Sequence, residues 1–178
     1  GKQGHIAYPD KAVNPVEALI HFLSELKSLK LDEGSDFFEP SSLNISTIDT
    51  NNEALNVIPG NSYAKFNVRF NDQHSCLSLT KKIDSLLAKH NEETNATLEI
   101  QYKCSGESFL TEPGQLSEML TTSIREIASI DCKLSTGGGT SDARFMRDYC
   151  PVVEFGLVGD TMHQINENTK VDDIVLLK

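Results

Sequence analysis

The segment STGGGTSDARF, at residues 135–145, has the composition of an anion-binding turn. Its three consecutive glycines permit backbone conformations that a β-carbon forbids and let a ligand approach the main chain closely. Asp142 and the hydroxyl residues before it favour a helix N-terminus directly after the turn. The free N–H groups and partial positive charge of such a terminus attract an anion, and Arg144 adds a bidentate partner for a carboxylate. A tight turn with a capped helix and no ligand explains the same residues equally well.

The composition is that of an acidic protein with enough apolar residues for a packed core. The 178 residues carry a net charge of −10 and are 38% hydrophobic, which suits one ordinary domain or two small ones. No basic cluster is present, which argues against nucleic acid and membrane surfaces as partners. The four cysteines are widely spread, so we expect reduced thiols and a cytoplasmic location. Three histidines stand in no motif and are expected at the surface: His21, His74 and His90.

The elements that must position any site begin with an extended segment at residues 1–8. Asn14 followed by Pro15 predicts a helix N-terminus, and an apolar stripe continues to Leu29. Residues 43–48 and 62–70 are predicted strands, a second amphipathic helix follows, and residues 97–103 alternate again. This β-α-β-β-α-β order predicts a ferredoxin-like domain over residues 1–107, with four antiparallel strands and both helices on one face.

From residue 108 the pattern becomes that of an α/β layer, which makes the whole chain α+β. A helix is predicted near residues 115–128, strands at 132–135 and 150–155, and a helix between these strands that runs to about residue 148. Two strands and three helices cannot close such a sheet. Because the chain also starts at Gly1 and ends in an apolar helix at 171–178, we expect a portion excised from a longer protein.

Three segments carry a resemblance to a known family: GKQGHIAYP at residues 1–9, NVIP at 56–59 and GGTSDARF at 138–145. They resemble the succinyl-diaminopimelate desuccinylase branch of the M20 dizinc amidohydrolases, and the resemblance extends over essentially the whole chain. It implies that residues 1–107 are a lid, or dimerisation, domain that forms a homodimer. Residues 108–178 would be the C-terminal part of a catalytic domain whose N-terminal part is absent.

The resemblance implies hydrolysis of N-succinyl-LL-2,6-diaminopimelate to succinate and LL-2,6-diaminopimelate, in lysine and cell-wall biosynthesis. It also implies two Zn²⁺ ions per active site, with Co²⁺ as an alternative metal, and makes His163 a metal ligand. In the family, most other ligands and the general-base glutamate precede the lid, so we expect this chain alone to be catalytically inert. Without the resemblance, His163 fits a surface or hydrogen-bonded histidine.

The resemblance further implies roles for residues that contact the substrate. His5 would reach the active site of the other subunit and stabilise the oxyanion, with Tyr8 and Asn56 as hydrogen-bond donors. Arg69 would hold a carboxylate of a small dicarboxylate-type substrate. The remaining implied substrate contacts are Gly139, Thr140 and Arg144.

Alternatives stay open for these residues and for the chain. His5 also fits a polar strand residue that bonds to the backbone, Arg69 fits a solvated position on its strand, and Asn56 fits a turn before Pro59. Gly159 stands where some family members have a substrate-contacting Asn, so another M20 deacylase or aminopeptidase, such as acetylornithine deacetylase, is an alternative. A further alternative is a dimerisation module that catalyses no reaction.

Overall fold

The computed structural model describes residues 1–137, 141–157 and 159–178. The chain divides into two compact units, Gly1–Phe109 and Leu110–Lys178. The predicted α+β class is confirmed, whereas the assignment of residues 1–107 to a lid and of 108–178 to a catalytic domain stays a prediction. In the described part of the chain, every helix is too short or too polar to cross a bilayer.

Besides a short 3₁₀ helix, Pro9–Lys11, the first unit contains four strands and two α-helices. In chain order they are β1 (Gly4–His5), α1 (Pro15–Ser28), β2 (Ser42–Asp49), β3 (Val57–Ile58), β4 (Tyr63–Arg69) and α2 (Cys76–Glu93). As the sequence predicts, Asn14 caps α1: its Oδ1 accepts the Val16 N–H at 3.1 Å. Ser75 and Ser78 form a reciprocal capping box at the start of α2.

The strands form two two-stranded sheets, so the predicted four-stranded ferredoxin-like sheet is not confirmed. β2 pairs antiparallel with β4 along its length, with a register shift between Ile45 and Thr47. β1 pairs antiparallel with β3, which places His5 opposite Val57. We call this second, shorter pair the β1–β3 ribbon.

The predicted strand at residues 97–103 is wrong, and the Asn91 side chain supplies the reason. Asn91 Oδ1 accepts the Leu98 N–H and Asn91 Nδ2 donates to the Leu98 carbonyl, both at 2.9 Å. A helix side chain thus satisfies the two backbone groups of Leu98 that a strand would have paired. The alternating apolar residues still pack inward, because Leu98 and Ile100 lie partly buried against the core.

The core of the first unit is built around one face of α1. Its buried members are Leu19, Phe22, Leu23, Leu26, Leu43 and Ile83. Leu26 is completely buried, and burying one such side chain contributes roughly 1.5–3 kcal/mol. The start of α1 is also tied to the start of β4, since Ser62 Oγ donates to the Pro15 carbonyl at 2.8 Å.

Cys76 and Cys104 form a disulfide, with their Cα atoms 6.1 Å apart, so the expectation of reduced thiols is wrong for this pair. Cys132 and Cys150 are free, as expected. The bond joins the first residue of α2 to the segment that follows residues 97–103. The Glu107 carboxylate also accepts the Cys76 N–H, at 3.1 Å. These contacts fix that segment although it forms no sheet ladder.

The described residues of the second unit form three helices and no strand. They are α3 (Gln115–Ala128), α4 (Ala143–Met146) and α5 (Val171–Leu177). The predicted helix near 115–128 is confirmed, but α4 is shorter than the helix predicted to run to residue 148. The strands predicted at 132–135 and 150–155 are wrong, because a ladder needs a neighbouring strand and the described residues of this unit provide none.

Candidate functional site

The β1–β3 ribbon brings together three of the predicted site residues: His5, Tyr8 and Asn56. The Ile6 N–H donates to the Asn56 carbonyl at 3.1 Å, which extends the pairing of His5 with Val57 by one more hydrogen bond. Tyr8 returns toward β1, because its N–H donates to the His5 carbonyl at 2.9 Å. The rings of His5 and Tyr8 are tilted against each other with centroids 5.6 Å apart. Two segments far apart in sequence thus form one polar, exposed group.

The His5 ring is oriented by its own turn. Its Nδ1 accepts the Ala7 N–H at 3.1 Å. A ring nitrogen that accepts a hydrogen bond carries no proton, so the hydrogen of the neutral ring lies on Nε2. The side chain is exposed. His5 therefore offers another molecule an N–H donor at Nε2.

The ribbon requires a glycine next to His5. A Cβ at Gly4 would lie 2.7 Å from the Cβ of Ala12, too close for two carbon atoms. Just outside this contact, Lys2 and Val13 exchange two backbone hydrogen bonds of 2.9 and 3.0 Å. The first strand is thus held closely against the segment that leads into α1. This contact fixes the backbone position of His5.

Two further contacts hold the flanks of the group. Lys11 Nζ lies 5.2 Å from the centroid of the Tyr8 ring, within range of a cation–π interaction. On the other strand, Asn52 Nδ2 donates to the carbonyl of Val57 at 3.1 Å. This bond fixes the loop that carries Asn56.

Arg69 lies elsewhere in the first unit, at the end of β4 opposite Ser42, with its side chain exposed. The structure therefore places it in a different sheet from His5. Two other predicted substrate contacts, Gly139 and Thr140, lie outside the described residues.

Arg144 lies in α4 of the second unit. Its guanidinium carbon is 4.5 Å from the centroid of the Phe145 ring, and its Nε is buried without a hydrogen-bond partner among the described residues. The predicted cap at Asp142 makes no side-chain bond; instead Ser141 Oγ accepts the Ala143 N–H at 3.0 Å. An unpaired guanidinium donor beside a capped turn suits a carboxylate ligand.

His163 lies in a loop of the second unit whose backbone is tightly held. Its φ is 61°, in the left-handed region that non-glycine residues seldom adopt, and its N–H donates to Glu167 Oε2 at 3.3 Å. Thr161 and Asn168 close the loop with two hydrogen bonds of 2.8 and 3.0 Å. The exposed imidazole has no hydrogen-bond partner in the described part of the chain. It fits a metal ligand, although the described residues place no group of further ligands around it.

A second polar group, on α1 and α2, was not predicted from the sequence. His90, expected at the surface, is fully buried, and its Nδ1 lies 3.3 Å from Glu25 Oε2. His21 is exposed, as expected, and its ring stacks obliquely on His90 at 5.2 Å. His74 is also mostly buried, with 14% of its side chain exposed. Helical spacing could have revealed the burial of His90. This residue continues the apolar stripe of α2, seven residues after Ile83.

Both the sequence and the structure of the chain are similar to those of known proteins. Residues 1–95 match the family described as a peptidase dimerisation domain. The whole chain is 52% identical to a succinyl-diaminopimelate desuccinylase of Roseobacter denitrificans and 48% identical to one of Ruegeria pomeroyi. It covers 47% of each, so the chain spans about half the length of the curated relatives it matches.

A solved aminohydrolase structure from methicillin-resistant Staphylococcus aureus has a TM-score of 0.62 to this chain at 21% identity. The match covers 85% of this chain and 39% of that one. At this identity the likeness concerns the fold alone.

Proposed function

Because the chain belongs to the M20 peptidase dimerisation domain family, we propose that it is part of a zinc-dependent succinyl-diaminopimelate desuccinylase. The full-length protein hydrolyses N-succinyl-LL-2,6-diaminopimelate to succinate and LL-2,6-diaminopimelate. The names of relatives about half identical to this chain support this reaction. The chain alone is inert, since its one proposed metal ligand, His163, cannot hold a zinc pair.

The observation that carries the proposal is the orientation of His5. Hydrolysis of an amide develops negative charge on the carbonyl oxygen, and a positioned N–H donor stabilises that charge. His5 Nδ1 is occupied by the Ala7 N–H at 3.1 Å, which leaves Nε2–H as this donor. Tyr8 and Asn56, which lie next to the ribbon, hold the substrate nearby.

The proposed metal site takes one ligand from this chain. His163 presents an exposed imidazole from a loop that its backbone contacts keep rigid. When bound, a zinc pair supplies a water of lowered pKa and polarises the amide carbonyl. We propose that Co²⁺ can replace Zn²⁺ and that the other ligands lie in the rest of the full-length protein.

The substrate of the proposed reaction carries several carboxylates, which explains the cationic residues. Arg144 offers an Nε without a partner among the described residues, and Arg69 adds a second guanidinium. Gly139 and Thr140 are proposed as further donors to the substrate. A homodimer through the first unit brings His5 to the site of its partner. The proposed location is the cytoplasm, although a disulfide is unusual in a reducing compartment.

The test uses the full-length protein, assayed with N-succinyl-LL-2,6-diaminopimelate and with N-acetylornithine. We expect His5→Ala to lower kcat by roughly 10²–10³ and leave the zinc content unchanged, whereas His163→Ala loses metal. A matched pair separates the two ring nitrogens: His5→Gln places an amide near Nε2, and His5→Asn places one near Nδ1. Gln should retain more activity than Asn.

Mixing subunits tests the contribution across the dimer. His5→Ala subunits combined with subunits inactivated at the general base should regain activity, because one site of the heterodimer is then complete. Confirmed subunit exchange without recovery would show that His5 does not act across the dimer. A preference for N-acetylornithine would favour acetylornithine deacetylase, and no hydrolysis by the full-length protein would favour a module without chemistry.

A further inference from the structure

Three side chains on α1 and α2 form a group of ligand-type atoms away from the ribbon that carries His5. They are His21, Glu25 and His90, and one ligand atom of each lies within 4.8 Å of the other two. His21 and Glu25 are one helical turn apart on α1, so they share a face, and His90 comes from the last turn of α2. We propose that this group binds one divalent transition-metal ion of the zinc class, at a site separate from that of His163.

The distances suit such an ion. Ligand atoms around a tetrahedral zinc, each about 2.0–2.2 Å from it, lie roughly 3.4 Å apart. His90 Nδ1 and Glu25 Oε2 already have this spacing, at 3.3 Å. The ring of His21 lies 5.2 Å from that of His90, centroid to centroid. Because His21 is exposed, a rotation of its side chain brings in the third ligand without disturbing the core.

The burial of His90 supplies a second, independent observation. Its side chain is 0% exposed, and its Nε2 has no hydrogen-bond partner among the described residues. The ion would bind the other ring nitrogen, Nδ1, which lies 3.3 Å from a carboxylate oxygen of Glu25. An ion that binds Nδ1 and Oε2 takes the place of the contact between His90 and Glu25.

The donor set selects the class of ion. Two imidazoles with one carboxylate favour Zn²⁺, Co²⁺, Ni²⁺ and Cu²⁺, whereas Mg²⁺ and Ca²⁺ prefer oxygen ligands. The exposed side of the group, at His21, leaves a position for water. A bound ion links α1 to α2 and therefore stabilises the first unit.

One charged neighbour opposes a cation. Lys89 Nζ lies 3.9 Å from Glu25 Oε1 and 3.8 Å from Glu93 Oε1. Its side chain is 59% exposed, so it can turn away toward Glu93 when an ion binds Glu25. Removing this positive charge should strengthen metal binding, whereas removing a ligand side chain should weaken it.

The test titrates the 178-residue chain, free of any polyhistidine tag, with Co²⁺ while following the visible absorption of the bound ion. Zn²⁺ then competes for the site. We expect one ion per chain, at least about tenfold weaker binding by His21→Ala, and tighter binding by Lys89→Gln. Since His21 is exposed, its variant keeps the fold, which circular dichroism verifies. Zn²⁺ should raise the thermal midpoint of the wild type more than that of His21→Ala.

Three further variants exclude other sites. Binding should survive His163→Ala, Cys132→Ser and Cys150→Ser. Absence of saturable Co²⁺ binding, unchanged affinity in His21→Ala, or loss of binding in His163→Ala would each overturn the proposal. Because the readout is metal binding and not hydrolysis, these results are independent of the proposed desuccinylase activity.

Discussion

Replacing Asp32 by alanine removes the centre of the polar network that organises the loop between α1 and β2. Asp32 Oδ1 accepts hydrogen bonds from the Gly34 N–H at 2.8 Å, the Ser41 N–H at 3.0 Å and Asn71 Nδ2 at 2.7 Å. Its Oδ2 lies 3.2 Å from His74 Nε2, and only 3% of the side chain is exposed. The loop therefore depends on one buried carboxylate.

The magnitude follows from the number of bonds lost. A hydrogen bond to a protein group contributes about 0.5–1.5 kcal/mol net, and more when the acceptor is charged. Asp32→Ala leaves three donors without their acceptor but also removes a buried charge, which offsets part of the loss. We expect the free energy of unfolding of the first unit to fall by about 3 kcal/mol.

The effect should depend on pH. Burial by itself raises the pKa of the Asp32 carboxyl, but hydrogen bonds from Ser41, Gly34 and Asn71 lower this pKa well below its usual range. Because the folded pKa lies below the unfolded value of about 3.9, the carboxylate stabilises the fold above that pH. Its contribution is lost as the pH falls through the folded pKa. The difference between wild type and Asp32→Ala should therefore shrink below about pH 4.

Urea denaturation at a series of pH values measures this difference, with hydrogen exchange at the α1 amides reporting on the first unit. The matched control is Asp36→Ala, in the same loop but exposed, which should change stability by about 0.5 kcal/mol or less. The reasoning fails if Asp32→Ala costs no more than this control, or if its effect is equally large at pH 3 and pH 7.

Two further predictions concern covalent and steric features of the first unit. Reducing the Cys76–Cys104 bond, which closes a loop of 28 residues, should destabilise the unit by about 3.5 kcal/mol. Urea denaturation with and without reductant measures this loss, and coincident curves would contradict it. Gly4→Ala should cost about 1–3 kcal/mol, because its Cβ would meet the Cβ of Ala12 at 2.7 Å. Adding Ala12→Gly should restore most of that loss, and a failure to do so would refute the steric explanation.

The sequence predicts the elements whose causes are local. Asn14 followed by Pro15 fixes the start of α1, since a cap and a rigid φ act within one turn. The alternation at 62–70 becomes β4, Tyr63–Arg69, because one of its faces packs partly buried against the core. The helix at 115–128 follows in the same way from its apolar spacing.

Features that depend on distant partners could not be predicted in this way. The alternation at 97–103 has the pattern of a strand, but Asn91 takes the backbone bonds of Leu98. The spacing of Cys76 and Cys104 carries no signal until α2 and the following segment are placed. The group of His5, Tyr8 and Asn56 came from resemblance to a family, whereas its mutual contacts depend on the pairing of β1 with β3.

The β1–β3 ribbon has a consequence for affinity, because it pairs only two residues of each strand. So short a pair is marginally stable and opens locally more often than the core. The apparent affinity of any ligand that needs the closed ribbon is the intrinsic affinity scaled by the population of that conformation. Gly4, Ala12 and Asn52 thus contribute to the affinity for a ligand at His5. They do so by holding the ribbon closed and not by contacting the ligand. Substitutions that increase the closed population would strengthen binding without adding a contact.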